Sequence, residues 1–598
     1  MPTEITVLSF NLWGIFNSKY RAARMARFAA KVAHYDIILL QEQFSKEDFE
    51  LIISNLPSEV REKRYFKRFP SAFYGSGIAV ISRFPIKSAL FFTFPLQGYP
   101  ERVLHGDYYA NKGASLLRIH VPCTTRRGVS PDPPYEDVLL YNTHLVAAYQ
   151  KTARLLNWRD ELYLPVRLSQ AISLAEFISS TSHPTDRVII GGDFNATQRS
   201  LELQAMLILL RKRGYKLVSV LPPSIMYRPE MSEREKRINT ATLTYSDANM
   251  FNSPKDGWFV EGGDVPCQID HIFFTSNTLR LSAFNDCPDA AADYPFKMPI
   301  NGEEGPAGVV VFTGNNEVQI PPEEGLGVKA LKWFSRLSCA FWCGQLFAFS
   351  ERQTNENSAN TLEPRFCPIS DHYGVTARFQ LGEEEEEKEL EVDGSTAAGK
   401  KLAPKKGYVE VALTKAEVEI LTEAAVFLDD SVNKLYRESR ICMWLAAAMT
   451  AVVLGNLIYM EYQAQLREEH TGRVLKELFK FAKLRGTAMG QEELSLGFDS
   501  TSWRQWLRRA FSMNSDNSQA TTAIKYKTVA SADVALDYAG IASKLHSRGL
   551  WGLVSPVITI CGSILSAASV TVALLQRIAN AKVMAEQVNM LKQACQGW

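Results

Sequence analysis

A series of short, largely apolar runs, several of them followed closely by a polar residue able to do chemistry, constrains this chain more than any other feature. Ile5–Phe10 leads to Asn11, Ile37–Leu40 to Glu42, Val138–Tyr141 to His144, and Val188–Ile190 to Asp193 and Asn195. Gly77–Ile81, Ala114–Ile119 and Ile269–Phe274 repeat the apolar pattern. Runs of this length without polar alternation fit strands buried on both faces. Between them, residues 18–34 place Met25, Phe28, Ala29 and Val32 on one helical face, and residues 161–180 read as an amphipathic helix. The alternation predicts a layered α/β or α+β domain over residues 1–380.

The rest of the chain has a different texture. Residues 283–362 are irregular, and the apolar segment 330–349 reads either as a buried helix or as an element dipping into a membrane interface. Residues 381–410, with the run EEEEEKELE, form an acidic and polar linker. The C-terminal region, 411–598, contains a helical segment at 412–438 and two apolar spans, 441–460 and 550–575, without Asp, Glu, Lys or Arg. A helix of roughly 20 apolar residues is long enough to cross a bilayer, so both are expected to be transmembrane. Pro556 is tolerable in such a helix.

Composition narrows the class. The net charge of +1 shows no basic excess, so a nucleic-acid partner is not expected. The nine cysteines show no CxxC or zinc-like spacing and read as reduced thiols. The N-terminus has no basic segment followed by an apolar one, so it is not read as a signal peptide. The N-terminal domain is therefore expected in the cytosol. The two spans then form a hairpin that carries residues 461–549 across the membrane. Lys434, Arg437 and Arg440 before the first span, and Arg577 and Lys582 after the second, agree with a positive cytosolic side. Arg504, Arg508 and Arg509 in the connector weigh against it, and a topology with the connector in the cytosol stays open.

The candidate site residues lie in short motifs: Asn11 in SFNLWG, Glu42 in IILLQEQF, His144 in LLYNTHL, Asp193 and Asn195 in VIIGGDFNAT, Asp270 in QIDHIFF, and Asp371 and His372 in PISDHYG. Buried carboxylates are costly unless paired or metal-bound, so acids gathered at strand ends invite a cation. Carboxylate and amide oxygens are hard ligands, which favours Mg2+, with Mn2+ possible, over zinc. The histidines add groups that titrate near neutrality.

In this order the motifs resemble the endonuclease/exonuclease/phosphatase superfamily, over roughly residues 4–380. The resemblance implies a four-layered α/β/β/α sandwich. It also implies a metal held by Glu42 and Asn11 with Asp371 close by, and water and phosphate positioned by Asp193 and Asn195. His372, oriented by Asp270, is implied as general base or charge stabiliser, and His144 as a candidate general acid. The segment HGDYYANKGAS at 105–115 resembles the neutral sphingomyelinase motif, in which an aspartate and a lysine, here Asp107 and Lys112, act as a switch that frees the lysine to reach the site. A C-terminal membrane hairpin resembles one branch of that family. The tryptophan-rich segment of inositol polyphosphate 5-phosphatases is absent, and His271 stands after Asp270 where that branch has a basic residue. The implied activity is hydrolysis of a membrane phosphosphingolipid, either sphingomyelin or an inositol phosphosphingolipid, to ceramide and a phosphorylated head group. The lipid bilayer, and an anionic lipid activator, are the implied partners. The alternatives are a membrane-tethered nuclease or other phosphodiesterase of the superfamily, a lysophospholipid phospholipase C, and an inactive membrane adaptor.

Overall fold

The computed structural model describes residues 4–16, 18–71, 74–99, 102, 105–122, 135–149, 158–223, 231–252, 266–282, 298–300, 303–305, 308–320, 366–381, 410–486 and 551–596. The apolar segment 330–349, the linker up to residue 409 and the connector from 487 to 550 lie outside the described residues. The chain divides into two compact units, one of residues 1–438 with 576–598 and one of residues 439–575.

The first unit is built on two mixed sheets. One contains β1 (Glu4–Asn11), β2 (Ile37–Gln41), β3 (Tyr65–Phe69), β4 (Ile78–Ser82), β11 (Leu279–Ser282), β14 (Gly308–Val311) and β17 (Gly374–Leu381), in the order β11-β17-β1-β2-β4-β3 with β14 also paired to β17. The other runs β5-β6-β7-β8-β10-β9, from β5 (Ile86–Thr93), β6 (Gly113–Pro122), β7 (Tyr135–His144), β8 (Arg187–Asp193), β9 (Leu217–Ser219) and β10 (Asp270–Thr275). Two small pairs, β12 (Met298–Ile300) with β13 (Glu303–Gly305) and β15 (Val318–Gln319) with β16 (Phe366–Cys367), complete the strands among the described residues. β2 and β4 are buried at every position, as their unbroken apolar sequences require.

One buried cluster joins the two sheets through residues such as Val7, Leu39, Val80, Leu140, Ile189 and Phe274. A second packs α1 (Arg21–Lys31) and α2 (Lys46–Asn55) on the first sheet through Met25, Phe28 and Ile52. α2 starts where the Ser45 side chain accepts the Asp48 N–H, with Glu47 and Asp48 in the first turn, so cap and acids both favour the helix N-terminus. The short helices α3 (Ser58–Arg61), α4 (Asp107–Ala110) and α7 (Glu233–Ala241) lie in the connections.

The third cluster departs from expectation. α5 (Leu164–Thr181) and α6 (Leu201–Lys212) cover the second sheet, but the polar face of α5 does not meet water: Arg167, Ser169, Gln170 and Ser173 are buried. The N-terminal part of α8 (Lys415–Gly486) and the C-terminal part of α9 (Trp551–Gln596), two long C-terminal helices, join the same core. Leu421, Leu428 and Leu435 of α8 and Met584, Val588 and Leu591 of α9 are buried there. Gln587 donates to the Ser169 carbonyl (3.0 Å) and to Ser173 Oγ (3.1 Å). Each such apolar side chain contributes about 1.5–3 kcal/mol when fully buried. An exposed ion pair such as Arg159–Glu423 contributes about 0.2–1 kcal/mol, so packing holds these helix feet in place.

The helix expected at 412–438 and the span at 441–460 are one continuous helix, because nothing between them breaks it. Within the second unit its described side chains beyond Ser439 are exposed or half-buried, with Trp444 73% and Ile458 70% exposed. α8 and α9 are long and apolar enough to be candidate membrane spans by length and composition.

Candidate active site

Strand register gathers the polar residues. β7 runs parallel to β8 with His144 opposite Asp193, and β10 runs antiparallel to β8 with Asp270 opposite Asp193. These three residues therefore share one edge of the second sheet. On the first sheet, Asn11 lies opposite Gln41 at the ends of β1 and β2, and Glu42 follows. β17 flanks β1, so the preceding His372 arrives at the same edge. The two sets meet where Asn11 Nδ2 donates to Asp193 Oδ2 (2.9 Å) and to Glu42 Oε1 (3.1 Å).

Glu42 adopts φ +53°, a left-handed conformation that L side chains rarely take. Its backbone is tightly enclosed: a Cβ on Gly14 would fall 2.2 Å from the Glu42 carbonyl oxygen, and one on Gly77 would fall 3.2 Å from Glu42 Cα. Asn195 shares the left-handed conformation at φ +48°. Its N–H donates to Asp193 Oδ1 (2.8 Å), and its Nδ2 donates to the Leu145 carbonyl (2.9 Å).

His372 Nδ1 lies 2.9 Å from Asp270 Oδ2, while its Nε2 faces Asp193 Oδ2 at 3.9 Å. His144 Nε2 lies 3.5 Å from the same Asp193 oxygen and 4.0 Å from Glu42 Oε1. Lys112 is fully buried and turned toward His144. Its Nζ stands 2.9 Å from His144 Nε2, from Asp107 Oδ1 and from the Leu145 carbonyl.

Several residues absent from the sequence reading hold this arrangement. The backbone after His144 is a hub: the Leu145 carbonyl accepts from Lys112 and Asn195, the Val146 N–H donates to Gln170, and the Ala147 N–H donates to Asp107 Oδ2. Beneath the site, Gln41 Nε2 donates to Asn142 Oδ1 (2.6 Å), tying one sheet to the other. Buried Arg24 donates to the carbonyls of Leu12, Trp13 and Ile369 and so fixes the segments carrying Asn11 and Asp371. Thr244 Oγ1 accepts the N–H groups of Ile269 and Asp270. Their motifs carry no signal of their own; only tertiary contact gives these residues a role. His271 points away and donates to the Ala196 carbonyl, where burial lowers its pKa to about 4.

The electrostatics are those of a charged site out of water. Burial, then repulsion from Asp371, raises the Glu42 pKa to about 7; burial, then Asp270, raises that of Asp193 to about 6. Burial raises Asp371 as well. The histidines diverge. Burial, then Lys112 and His372, push His144 well below its ordinary value, so it is neutral. Burial also opposes the charge on His372, but the carboxylates of Asp270 and Asp193 outweigh it and raise its pKa well above the ordinary value, so it is protonated.

Among the described residues, two groups of side chains could hold a metal: Glu42 with His144 and Asp193, and Asp193 with Asp270 and His372. Asp371 belongs to neither, and the Asn11 amide turns its nitrogen to the carboxylates while its oxygen accepts the Trp13 N–H (2.9 Å). An oxygen ligand from Asn11 therefore requires the amide to turn over. The residues nonetheless fit a hard cation. Glu42 Oε2 is buried without a hydrogen-bond partner among the described residues, beside acids whose charge nothing fully balances. A thermal melt tests the fit. Without divalent cation, Glu42 and Asp193 hold protons in the folded state that the unfolded chain has released. Stability is therefore fully present below their unfolded values and falls as pH rises through about 6–7. Adding Mg2+ is expected to raise Tm strongly at pH 8 and weakly at pH 5.5. An equal shift at both values counts against a cation at these acids.

Residues 8–335, more than half the chain, match the model of the Endonuclease/Exonuclease/phosphatase family. The chain belongs to this family. Among the curated relatives, an inositol phosphosphingolipids phospholipase C of Schizosaccharomyces pombe is 32% identical over 288 residues, covering 46% of this chain and 61% of the relative. Human sphingomyelin phosphodiesterase 2 is 32% identical over 195 residues, covering 32% of this chain and 41% of the relative. The chain thus spans less than two thirds of the length of each. Among solved structures, sphingomyelinase C of Streptomyces griseocarneus aligns over 63% of this chain and 99% of its own, at 13% identity and a TM-score of 0.33.

Proposed function

We propose that this family member is a Mg2+-dependent phosphodiesterase that hydrolyses a membrane phosphosphingolipid to ceramide and a phosphorylated head group. In this reading, residues 1–380 form a four-layered α/β/β/α catalytic domain on the cytosolic side. Residues 381–410 are a linker, and α8 and α9 anchor the protein in the membrane. The observation that carries the reading is the convergence of Glu42, Asp193, Asp270, His372 and the Lys112–His144 pair on one edge, together with relatives named for phosphosphingolipid hydrolysis.

Glu42, with Asp371 and a turned Asn11, would hold the cation, which supplies polarisation of the phosphoryl oxygen. Asp193, ionised at neutral pH despite its raised pKa, orients the attacking water and takes its proton, with Asn195 fixing the carboxylate. Protonated His372, held by Asp270, stabilises the negative charge that grows on the phosphate rather than acting as the base. The bond from phosphorus to the ceramide oxygen breaks as the water oxygen joins phosphorus. Lys112 and His144 share the proton that the departing alkoxide takes up. The Asp107–Lys112 pair is in the engaged arrangement, with the ammonium drawn to His144.

The deciding experiment is turnover of a head-group panel by the purified full-length protein with Mg2+: sphingomyelin, inositol phosphoceramide, lysophosphatidylcholine and duplex DNA. Release of ceramide from a sphingolipid is expected. Cleavage of DNA or lysophosphatidylcholine without ceramide release would remove the sphingolipid assignment.

A further inference from the structure

A row of aromatic side chains runs along the first unit from the loop beyond Asn11 to α9. Phe16, in the loop just beyond Asn11, is 50% exposed, and its backbone carbonyl is pinned by Arg21 (3.2 Å). Its ring lies 5.3 Å from that of Tyr74. Tyr74 lies 6.2 Å from Tyr109, to whose carbonyl it also donates its N–H. Tyr109 lies 5.3 Å from Tyr108, whose hydroxyl donates to Gln576 on α9 (3.1 Å).

The last contact fixes the level at which the row begins. Gln576 directly follows the uncharged run 550–575. One residue on, Arg577 pairs with Glu438 of α8 at 3.2 Å, just before the apolar run of that helix. Charged side chains are excluded from hydrocarbon, so with α8 and α9 read as membrane spans a boundary falls beside this pair. Aromatic side chains with one polar end favour that boundary. A half-exposed phenylalanine at the end of such a row is costly in water and favourable at a lipid interface.

We infer that the row Phe16–Tyr74–Tyr109–Tyr108 is a bilayer-contact surface that rests at head-group level and holds the mouth of the site against the lipid. The inference takes its partner, a lipid surface, from the reading of this chain as a phosphosphingolipid hydrolase. Tyr108 and Tyr109 lie between Asp107 and Lys112 in sequence, and Phe16 follows Asn11 and Trp13, so the row connects the foot of α9 with both sides of the site. A lipid pulled part-way from the bilayer would then reach the carboxylates without leaving contact with apolar or aromatic surface.

The test uses the full-length protein in vesicles of radiolabelled phosphatidylcholine, with p-benzoylphenylalanine placed at Phe16 or, as control, at the exposed Val218 of edge strand β9. Photolysis is expected to attach several-fold more lipid at position 16 than at 218. Equal labelling at the two positions overturns the inference. In parallel, Phe16→Ser and Tyr109→Ser are expected to lower the ratio of turnover on sphingolipid vesicles to turnover on a monomeric short-chain sphingolipid by about tenfold. An unchanged ratio overturns it as well. The labelling does not depend on catalysis. Strong labelling of a protein that cleaves no sphingolipid would leave the contact surface standing and remove the substrate assignment. An active enzyme without labelling would do the reverse.

Discussion

His372→Ala is expected to lower kcat by roughly 10²–10⁴-fold while leaving KM for the lipid nearly unchanged, because the lost interaction is strongest in the transition state. The imidazole is pinned by Asp270 at 2.9 Å and lies 3.9 Å from Asp193, so in the proposed mechanism removing it takes a positive charge from beside the reacting phosphate. Asp270→Asn is expected to cost less, since the ring remains. It should also move the pH profile. With Asp270 ionised, His372 keeps its proton until pH rises through a value well above the ordinary one. Neutralising Asp270 removes much of that support, so the alkaline limb of kcat should shift to lower pH. Steady-state kinetics across pH for both variants reads this directly. A silent Asp270→Asn with an unshifted alkaline limb, together with a mild His372→Ala, would remove the dyad from the mechanism.

The parts of this picture that could be read in the sequence share one property: they lie along single elements. Ile37–Leu40 is apolar at every position because β2 is covered on both faces, and Glu42 is visible because it interrupts that run at its end. The same logic locates His144 and Asp193 at the ends of β7 and β8, whereas Asp270 opens β10. Parallel register of β7 with β8, and antiparallel register of β10 with β8, then bring the ends of β7 and β8 beside the start of β10.

What escaped the sequence depends on contacts between elements. The polar side chains of α5 suggest a solvent face, yet Ser169 and Ser173 meet Gln587 of α9, more than 400 positions later. Periodicity records that a face is polar; it does not record what covers it. The hub at Leu145–Ala147 acts through its backbone and has no residue signature. Asn11 stands where expected, but its amide nitrogen faces the carboxylates, an orientation set by the Trp13 N–H and invisible to any motif. Arg24 would pass for one more basic residue on an amphipathic helix, although it is fully buried and bridges the segments that carry Asn11 and Asp371.

Glu42→Gln is expected to reduce turnover in Mg2+ to background, a loss on the order of 10³-fold or more, with the fold intact. The substitution keeps size and shape, and Gln can still accept from Asn11 through one oxygen. It places N–H donors where the unpartnered Glu42 Oε2 now lies, and a donor repels a cation. It also removes a charge that burial and Asp371 disfavour. In divalent-free buffer at pH 8 the variant should therefore melt no lower than the parent, and slightly higher if the new amide finds a partner. What it should lose is the rise in Tm on adding Mg2+. The two readouts separate the roles of the residue. A variant that melts early has lost a structural support at the strained φ of +53°, and says nothing of the cation. A variant that melts normally, gains nothing from Mg2+ and turns over no lipid has lost a ligand. Near-parental turnover, or an undiminished Mg2+ shift, would place the cation elsewhere on the sheet edge, with the Asp193–Asp270–His372 group as the remaining candidate among the described residues.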